Sequence, residues 1–286
     1  MPSERSSVPI SVVIITRDEE DNIEACLQSV QWADDIVVVD AESQDRTVEL
    51  CRKFTTRVYQ RPWPGYAAQK AFAVEHAKHE WVLSLDADER VSDALRDELT
   101  SLVFSGPKCD GYYVPRLSSY LGKWITHCGW YPGYQLRFFR KSKVSVAQSR
   151  VHEGFVVQGT VGYLRGELLH YSYRDLEENL QKLNRYSTLE ALDRVGKARA
   201  RWYDFVLHPL SEFLRKFIAL GGALEGTHGF VLCAMSAFQK MALYMKIWQL
   251  QHREQLREAY GRAGAPRCRL EPVGDDASFG NHHHAQ

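Results

Sequence analysis

The first hundred positions alternate between two hydrophobic patterns. Ile10 to Thr16, Ile36 to Val39 and Trp81 to Leu85 are continuous apolar runs, as expected of strands covered on both faces. Arg57 to Gln60 predicts a shorter strand. Between these runs, Asp18 to Val30, Asp45 to Phe54, Tyr66 to His79 and Ser92 to Phe104 carry helical spacing. Asp18 and Ser92 stand where an N-cap would, and acids follow Asp18 in the first turn. Strand and helix alternating at this spacing predict an α/β domain, a parallel sheet with helices on both faces. In such sheets ligands sit beyond the carboxyl ends of the strands. Thr16, Asp40 and Asp86 all stand at those ends.

From Gly111 the pattern changes. Gly111 to Pro115, Gln135 to Arg140, Val151 to Val157 and Gly162 to Leu164 predict short strands, and the aromatic stretch YLGKWITHCGWYPGY is too irregular for a helix. Asp175 to Arg194 predicts an amphipathic helix. Trp202 to Tyr260 is helical and apolar, interrupted by Pro209 and by glycines at 221, 222, 226 and 229. The chain is therefore expected to divide into a disordered start (1–8), an α/β domain (9–174), a helical region (175–262) and a flexible tail (263–286), whose His run at 282–284 is expected to hold no metal.

Charge sharpens the division. The formal net charge over 286 residues is +0, which gives no nucleic-acid signal. Residues 1–196 carry 24 Lys and Arg against 28 Asp and Glu, whereas residues 197–270 carry 12 against 5. Gly226 to Gln239, 14 residues, has no charged side chain; that is short of the roughly 18 needed to span a bilayer, and Lys240 and Lys246 then interrupt the run. An interfacial element on an anionic inner leaflet is the better expectation. The competing one is a helix packed on the catalytic domain or on a second subunit of a homo-oligomer. Six cysteines without a Cys-x-x-Cys pair argue against a zinc ribbon, and the polar opening from Met1 to Pro9 predicts no signal peptide. A cytoplasmic compartment follows as the expectation.

The chemistry concentrates in WVLSLDADE. Asp86 and Asp88, spaced i and i+2 at a strand end, can point the same way if the chain stays extended. Hard divalent cations take oxygen ligands, and one or two carboxylates plus phosphate oxygens are the usual way to hold Mg²⁺ or Mn²⁺ on a diphosphate. The plainer alternative, acids at a helix N-terminus, loses ground because the pair follows a late strand of a βαβ array. Asp40, in VVVDAESQDRT, could accept from a ribose hydroxyl or a base N–H, or simply shape a turn. No Gly-x-Gly-x-x-Gly and no Walker A lysine motif is present.

The segments VVIITRDEEDNIEACLQSV, VVVDAESQDRTVEL and LDADE resemble the sequential signatures of glycosyltransferase family 2, whose fold is GT-A. GKWITHCGWYPGYQLRFFRK, VHEGF and LLHYSYRDLEENLQKLNRYS are similar to the subgroup that adds glucose to the lipopolysaccharide inner core, and the resemblance covers about residues 9–250. It implies inverting transfer from a UDP-sugar, UDP-glucose, to a heptose of the core. It implies a Mg²⁺ or Mn²⁺ held by Asp88, Asp86 against the donor ribose or sugar, Asp40 facing uracil, and Thr16 and Arg17 on the base or ribose. Many relatives have Asn where this chain has Asp18.

Inverting displacement also needs a general base. Many family members carry an acid near the Gly-rich acceptor loop, but WYPGYQ here has none; the nearest downstream acid, Glu153, is the expected base, with Asp110 as a rival. His152 is a candidate third metal ligand or phosphate contact, or an ordinary histidine; neighbours on a strand face opposite ways, so both serve only on irregular backbone. Lys70 could reach the donor phosphates or be solvated. Arg137 and Arg140 could bind acceptor phosphate, with alternation sending them to different places. Trp124, Trp130 and Tyr131 could stack on acceptor sugars or pack in the core. The expected partners are thus a UDP-sugar, a lipopolysaccharide core or other glycolipid, and the inner membrane surface, with no nucleic acid. Three other readings compete: transfer to a polyprenyl phosphate, a silent membrane-docking module, and a nucleotidyltransferase. The last lacks its basic Gly-rich loop in TRDEEDN.

Overall fold

The run VPISVVIIT becomes β1 (Val8–Thr16), and both of its faces are covered. Ile10, Val12 and Ile14 point into a core shared with Ile23, Leu27, Leu95 and Leu99, while Val13 and Ile15 point into a second core with Ala73, Val74 and Ala77. Two covered faces explain an unbroken apolar strand, since successive side chains alternate. Each fully buried aliphatic side chain contributes roughly 1.5–3 kcal/mol. The computed structural model describes residues 7–147, 154–194, 196–197, 199–253 and 255–256.

After β1 come α1 (Ile23–Gln28), β2 (Ala33–Asp40), α2 (Thr47–Cys51), β3 (Val58–Gln60), α3 (Tyr66–Glu75), β4 (Trp81–Asp86), β5 (Glu89–Val91) and α4 (Asp93–Ser105). The chain continues through β6 (Gly111–Val114), β7 (Arg116–Tyr120), β8 (Lys123–Ile125), β9 (Gln135–Arg140), β10 (Val144–Val146), β11 (Phe155–Val157), β12 (Val161–Tyr163) and β13 (Leu168–Tyr173). It ends in α5 (Leu176–Arg194), α6 (Asp204–Leu214) and α7 (Thr227–Gln251).

Seven strands form the main sheet in the order β12-β6-β9-β4-β1-β2-β3. The expected parallel sheet holds for β3, β2, β1 and β4. It is corrected at β9, which runs antiparallel to both β4 and β6. No helix stands between β6 and β9 to make the crossover that a parallel pairing needs. A smaller sheet orders β5, β13 and β7, with β13 antiparallel to β5. Neither β13 nor β7 was expected from the pattern. Ser92 caps α4 as expected, its Oγ accepting from Leu95 N at 3.2 Å. The helix expected from Asp18 instead starts at Ile23, and Asp18 adopts a positive φ of 50° in the preceding loop.

The described residues fall into two units. The first takes residues up to 119 and 130–172; the second takes 120–129 and everything described from 173 on. In the second unit α7 has 25 residues, longer than the uncharged 14-residue run Gly226 to Gln239. By length and composition alone α7 could cross a membrane, and only 22% of its most apolar stretch is buried. Continuous helix carries the run through Lys240 and Lys246, which the sequence reading took as its end. Glycine is required at its first turn: a Cβ on Gly229 would lie 1.9 Å from the Gly222 carbonyl oxygen.

Candidate active site

The carboxyl ends of β1, β2 and β4 lie side by side, with Thr16 in register with Asp40 and Ile15 with Asp86. Two loops leaving these strands are stitched together by their own polar groups. The Asp18 amide donates to Ser43 Oγ at 2.8 Å, the Gln44 amide to Asp18 Oδ1 at 2.7 Å, and the Glu19 amide to Thr47 Oγ1 at 2.8 Å. The Glu20 amide donates to Asp45 Oδ2 at 3.0 Å, and the Arg46 amide returns to Glu20 Oε2 at 3.1 Å. This exchange is why the acids after Thr16 do not start a helix: they are used across the gap between strands. Arg17 is half-buried, its Nε 3.5 Å from Asp18 Oδ2.

Above the loops two groups are poised. Asp40 is buried and accepts from the Ser43 amide at 3.0 Å and from the Ser43 hydroxyl. Burial pushes its carboxyl above the ordinary value, which the Ser43 donors only partly offset. Thr16 is fully buried, and its hydroxyl has no hydrogen-bond partner among the described residues. A buried, unsatisfied hydroxyl at a strand end is what a polar ligand would complete.

Beside them lies a buried charge cluster. Arg137, on β9, donates through one Nη2 to Asp86 Oδ2 and, at 2.7 Å, to Glu89 Oε1. Arg116 Nη1 stands 3.7 Å from the same Glu89 oxygen, and Lys70 Nζ 3.5 Å from Asp86 Oδ1. The Asp86 amide donates to Glu89 Oε2 at 3.0 Å, folding the strand end over. Burial alone would raise the Asp86 carboxyl, yet Arg137 and Lys70 override it and hold it well below the usual carboxylate range. Burial lowers Lys70 against the pull of Asp86. Lys70 is therefore a buried partner of Asp86 rather than a solvated lysine. Arg137, expected on an acceptor phosphate, is placed on Asp86 and Glu89. Arg140 goes elsewhere, stacking over Trp81 at 4.7 Å.

Asp88 sits in the turn after β4, buried, with Oδ2 3.2 Å from His170 Nε2. The other ring nitrogen of His170 is 3.0 Å from Ser118 Oγ. The register of β13 against β5 pairs His170 with Glu89 and so delivers the imidazole here. Sequence reasoning assigned no role to Glu89, Arg116, Ser118 or His170. Glu89 had a signal, as the third acid of LDADE; His170, 82 residues away from Asp88, had none beyond the resemblance. Among the described residues no three His, Cys, Asp or Glu side chains gather to hold a metal by themselves. Asp86 Oδ1 accepts no hydrogen bond among them. One or two carboxylates, with a ligand's phosphates and water supplying the rest, make up a donor set that Mg²⁺ or Mn²⁺ accepts.

Tyr131 donates its hydroxyl to Glu167 Oε1 at 2.6 Å, and this bond to a carboxylate pushes the phenol up to about 12. Trp130 is buried in the first unit, and Trp124 is half-buried in the second. Asp110 accepts from the Thr160 amide at 3.1 Å and lies 3.5 Å from Arg140 Nε. Glu153 and His152 fall outside the described residues.

Comparison with known proteins adds an independent line. The family model described as Glycosyl transferase family 2 matches residues 11–151. Lipopolysaccharide core biosynthesis glycosyltransferase LpsC of Rhizobium meliloti (strain 1021) is 35% identical over 251 residues, 85% of this chain and 93% of that protein. An uncharacterized glycosyltransferase of Rickettsia typhi is 31% identical over 84% of this chain and 87% of its own. Among solved structures, the mannosyltransferase PcManGT of Pyrobaculum calidifontis, in complex with GDP-Man and Mn²⁺, aligns with a TM-score of 0.49 at 13% identity, over 84% of this chain and 87% of its own. TarS of S. aureus, in complex with UDP-GlcNAc, aligns with a TM-score of 0.47 at 15% identity, over 91% and 93%.

Proposed function

Because the chain belongs to glycosyl transferase family 2, we propose that it moves glucose from UDP-glucose to a heptose of the lipopolysaccharide core, with inversion, at the inner face of the cytoplasmic membrane. The observation that carries this reading is the pairing of Asp86 and Asp88 at the end of β4, beside the orphan hydroxyl of Thr16 and the buried Asp40. The acceptor chemistry comes from the likeness to LpsC.

Thr16, Arg17 and Asp40 bind the uridine, and their strand-end register makes a shelf for it. Asp86, held by Arg137, meets the donor ribose or sugar. Asp88 would hold a divalent cation, and such an ion would supply positive charge against the departing diphosphate. The heptose hydroxyl attacks the anomeric carbon from the face opposite UDP. Its oxygen forms the new glycosidic bond, the bond from the anomeric carbon to the diphosphate oxygen breaks, and the hydroxyl proton passes to the Glu153 carboxylate. Tyr131 offers its ring to the acceptor sugars.

The test is UDP release by purified protein given UDP-glucose, Mg²⁺ or Mn²⁺ and a heptose-bearing core, with Asp88→Ala and Glu153→Gln beside it. Acceptor-dependent release abolished by both changes is expected. Release that survives Glu153→Gln moves the base elsewhere. Silence across a panel of UDP-sugars and acceptors, with no metal-dependent UDP binding, overturns the reading.

A further inference from the structure

In the second unit α6 is inside out for a helix in water. Its acids Asp204 and Glu212 are turned toward the protein, each side chain 13% exposed. Asp204 Oδ1 lies 3.3 Å from His208 Nε2, and the His208 ring stacks on Tyr244 of α7 with centroids 4.3 Å apart and planes 6° from parallel. Glu212 pairs with Arg215 at 2.9 Å and with Lys216 at 3.5 Å, and Lys216 Nζ donates to Ser236 Oγ of α7 at 3.1 Å. On α7 itself, Lys246 Nζ donates to Asn184, Ser187 and Thr188 of α5 at 2.6–2.8 Å. Lys216 and Lys246 are thus engaged by groups of the same unit.

The apolar residues point the other way. Val206, Leu207, Leu210 and Leu214 share one face of α6 and are exposed, and Trp202 and Ile218 prolong the row at 77% and 68% exposure. Eleven of the twenty exposed large hydrophobic side chains among the described residues fall between 202 and 248. A water-facing surface of this kind marks a site that something apolar covers. Its border says what. Lys197, Arg199 and Arg201 are exposed immediately before α6, and the sequence from 197 to 203 contains no acid. This border carries three cations and no acid, which an anionic leaflet complements.

We propose that the outer face of α6, from Trp202 to Ile218, lies in the boundary between headgroups and acyl chains of an anionic bilayer, with Lys197, Arg199 and Arg201 on the lipid phosphates. This rests on the membrane placement proposed above and adds the element that makes it. Leu207 and Leu210 enter the acyl region, Trp202 sits at the interface, and α6 lies along the surface without crossing.

The test is flotation of the full chain with phosphatidylethanolamine vesicles made with and without phosphatidylglycerol. Wild type should float, and more strongly with phosphatidylglycerol. Leu207→Asp/Leu210→Asp should lower the bound fraction at least about tenfold, whereas Leu189→Asp/Leu192→Asp, at comparably exposed leucines of α5, should leave it unchanged. Thermal melts by circular dichroism verify that both variants fold. Failure of wild type to float overturns the inference, as does equal loss in both variants. So does a dimer, seen by light scattering, that the α6 variant splits while vesicle binding persists. UDP release with a lipid-free core oligosaccharide, run on the same preparations, separates the two readings. Flotation lost with release intact sinks this inference alone, and release lost with flotation intact sinks the catalytic one alone.

Discussion

Glu225 offers a test in which charge, pH and local structure are tied together. It sits buried in the short 3₁₀ turn Gly222–Glu225 and collects the polar groups of the segment that carries Trp124. Its carboxylate accepts from Lys123 Nζ at 2.6 Å, from the Thr126 and His127 amides at 2.9 and 3.1 Å, and lies 2.8 Å from His127 Nδ1. Burial would raise its pKa, but the Lys123 and His127 side chains and the Thr126 donors bring it down from 4.5 to about 2. A drop of that size corresponds to about 3 kcal/mol at 1.36 kcal/mol per unit. Lys123 and His127 are 39% and 41% exposed, so water screens them and about 2 kcal/mol is the better figure.

The sign follows from the lowered pKa. The stabilisation is complete above the unfolded value near 4.5 and is lost as pH falls toward 2. Glu225→Gln should therefore weaken this anchor by about 2 kcal/mol at pH 7 and by little near pH 2.5. In hydrogen exchange the Thr126 and His127 amides should exchange about thirtyfold faster than wild type at pH 7. The variant-to-wild-type ratio should shrink toward one as the pH is lowered. An unchanged ratio at pH 7, or the same ratio at both ends of the range, would refute the reasoning.

Three further outcomes are expected. Arg137→Met leaves Asp86 and Glu89 buried with less compensation and should lose about 3–5 kcal/mol at neutral pH in urea unfolding; because burial then raises the Asp86 carboxyl, the variant should regain stability as pH falls, and a loss under about 1 kcal/mol would count against the cluster. If Asp88 holds the cation, His170→Ala should weaken the Mn²⁺ dependence of UDP binding by about 10–100-fold, as loss of a residue that orients a metal ligand does, besides costing about 1–3 kcal/mol of stability for the buried partners left unsatisfied; calorimetric titration with UDP checks it. Ser92→Ala removes the cap on Leu95 N and should cost about 1 kcal/mol without altering UDP binding.

What was legible in the sequence followed from periodicity. A strand covered on both faces must be apolar throughout, so β1, β2 and β4 announced themselves, and with them the strand ends that carry Thr16, Asp40 and Asp86. What was hidden depends on pairings distant in the chain. Nothing local in LLHYSY says that His170 will lie in register with Glu89 and reach Asp88. Alternation in QLRFFR separates Arg137 from Arg140, but nothing local names two buried acids as the partners of one and an indole as the partner of the other. The helix drawn from Asp18 failed for a related reason: residues that cap helices bond equally well to a neighbouring loop, and here Ser43 and Gln44 took Asp18.

The charge cluster also bears on how the site works. A buried ionic network is a poor way to stabilise a sheet, since a well-packed apolar core would serve as well or better. Its position at the strand ends points to a different purpose. Asp86 cannot turn away without leaving Arg137 and Lys70, and Asp88 is held from the far side by His170, itself steadied by Ser118. Under the proposed reaction, carboxylates fixed in this way would need no rearrangement as charge moves onto the leaving group, and interactions already in place in a water-poor site are worth most at that moment. Three acids, Asp86, Asp88 and Glu89, answered by Lys70, Arg116 and Arg137 keep the cluster near neutrality, which suits the proposed pairing of an anionic donor with a divalent cation. On this argument, neutralising Lys70 or Arg116 should weaken metal-dependent UDP binding, read by calorimetric titration, in addition to destabilising the fold as the Arg137 change does.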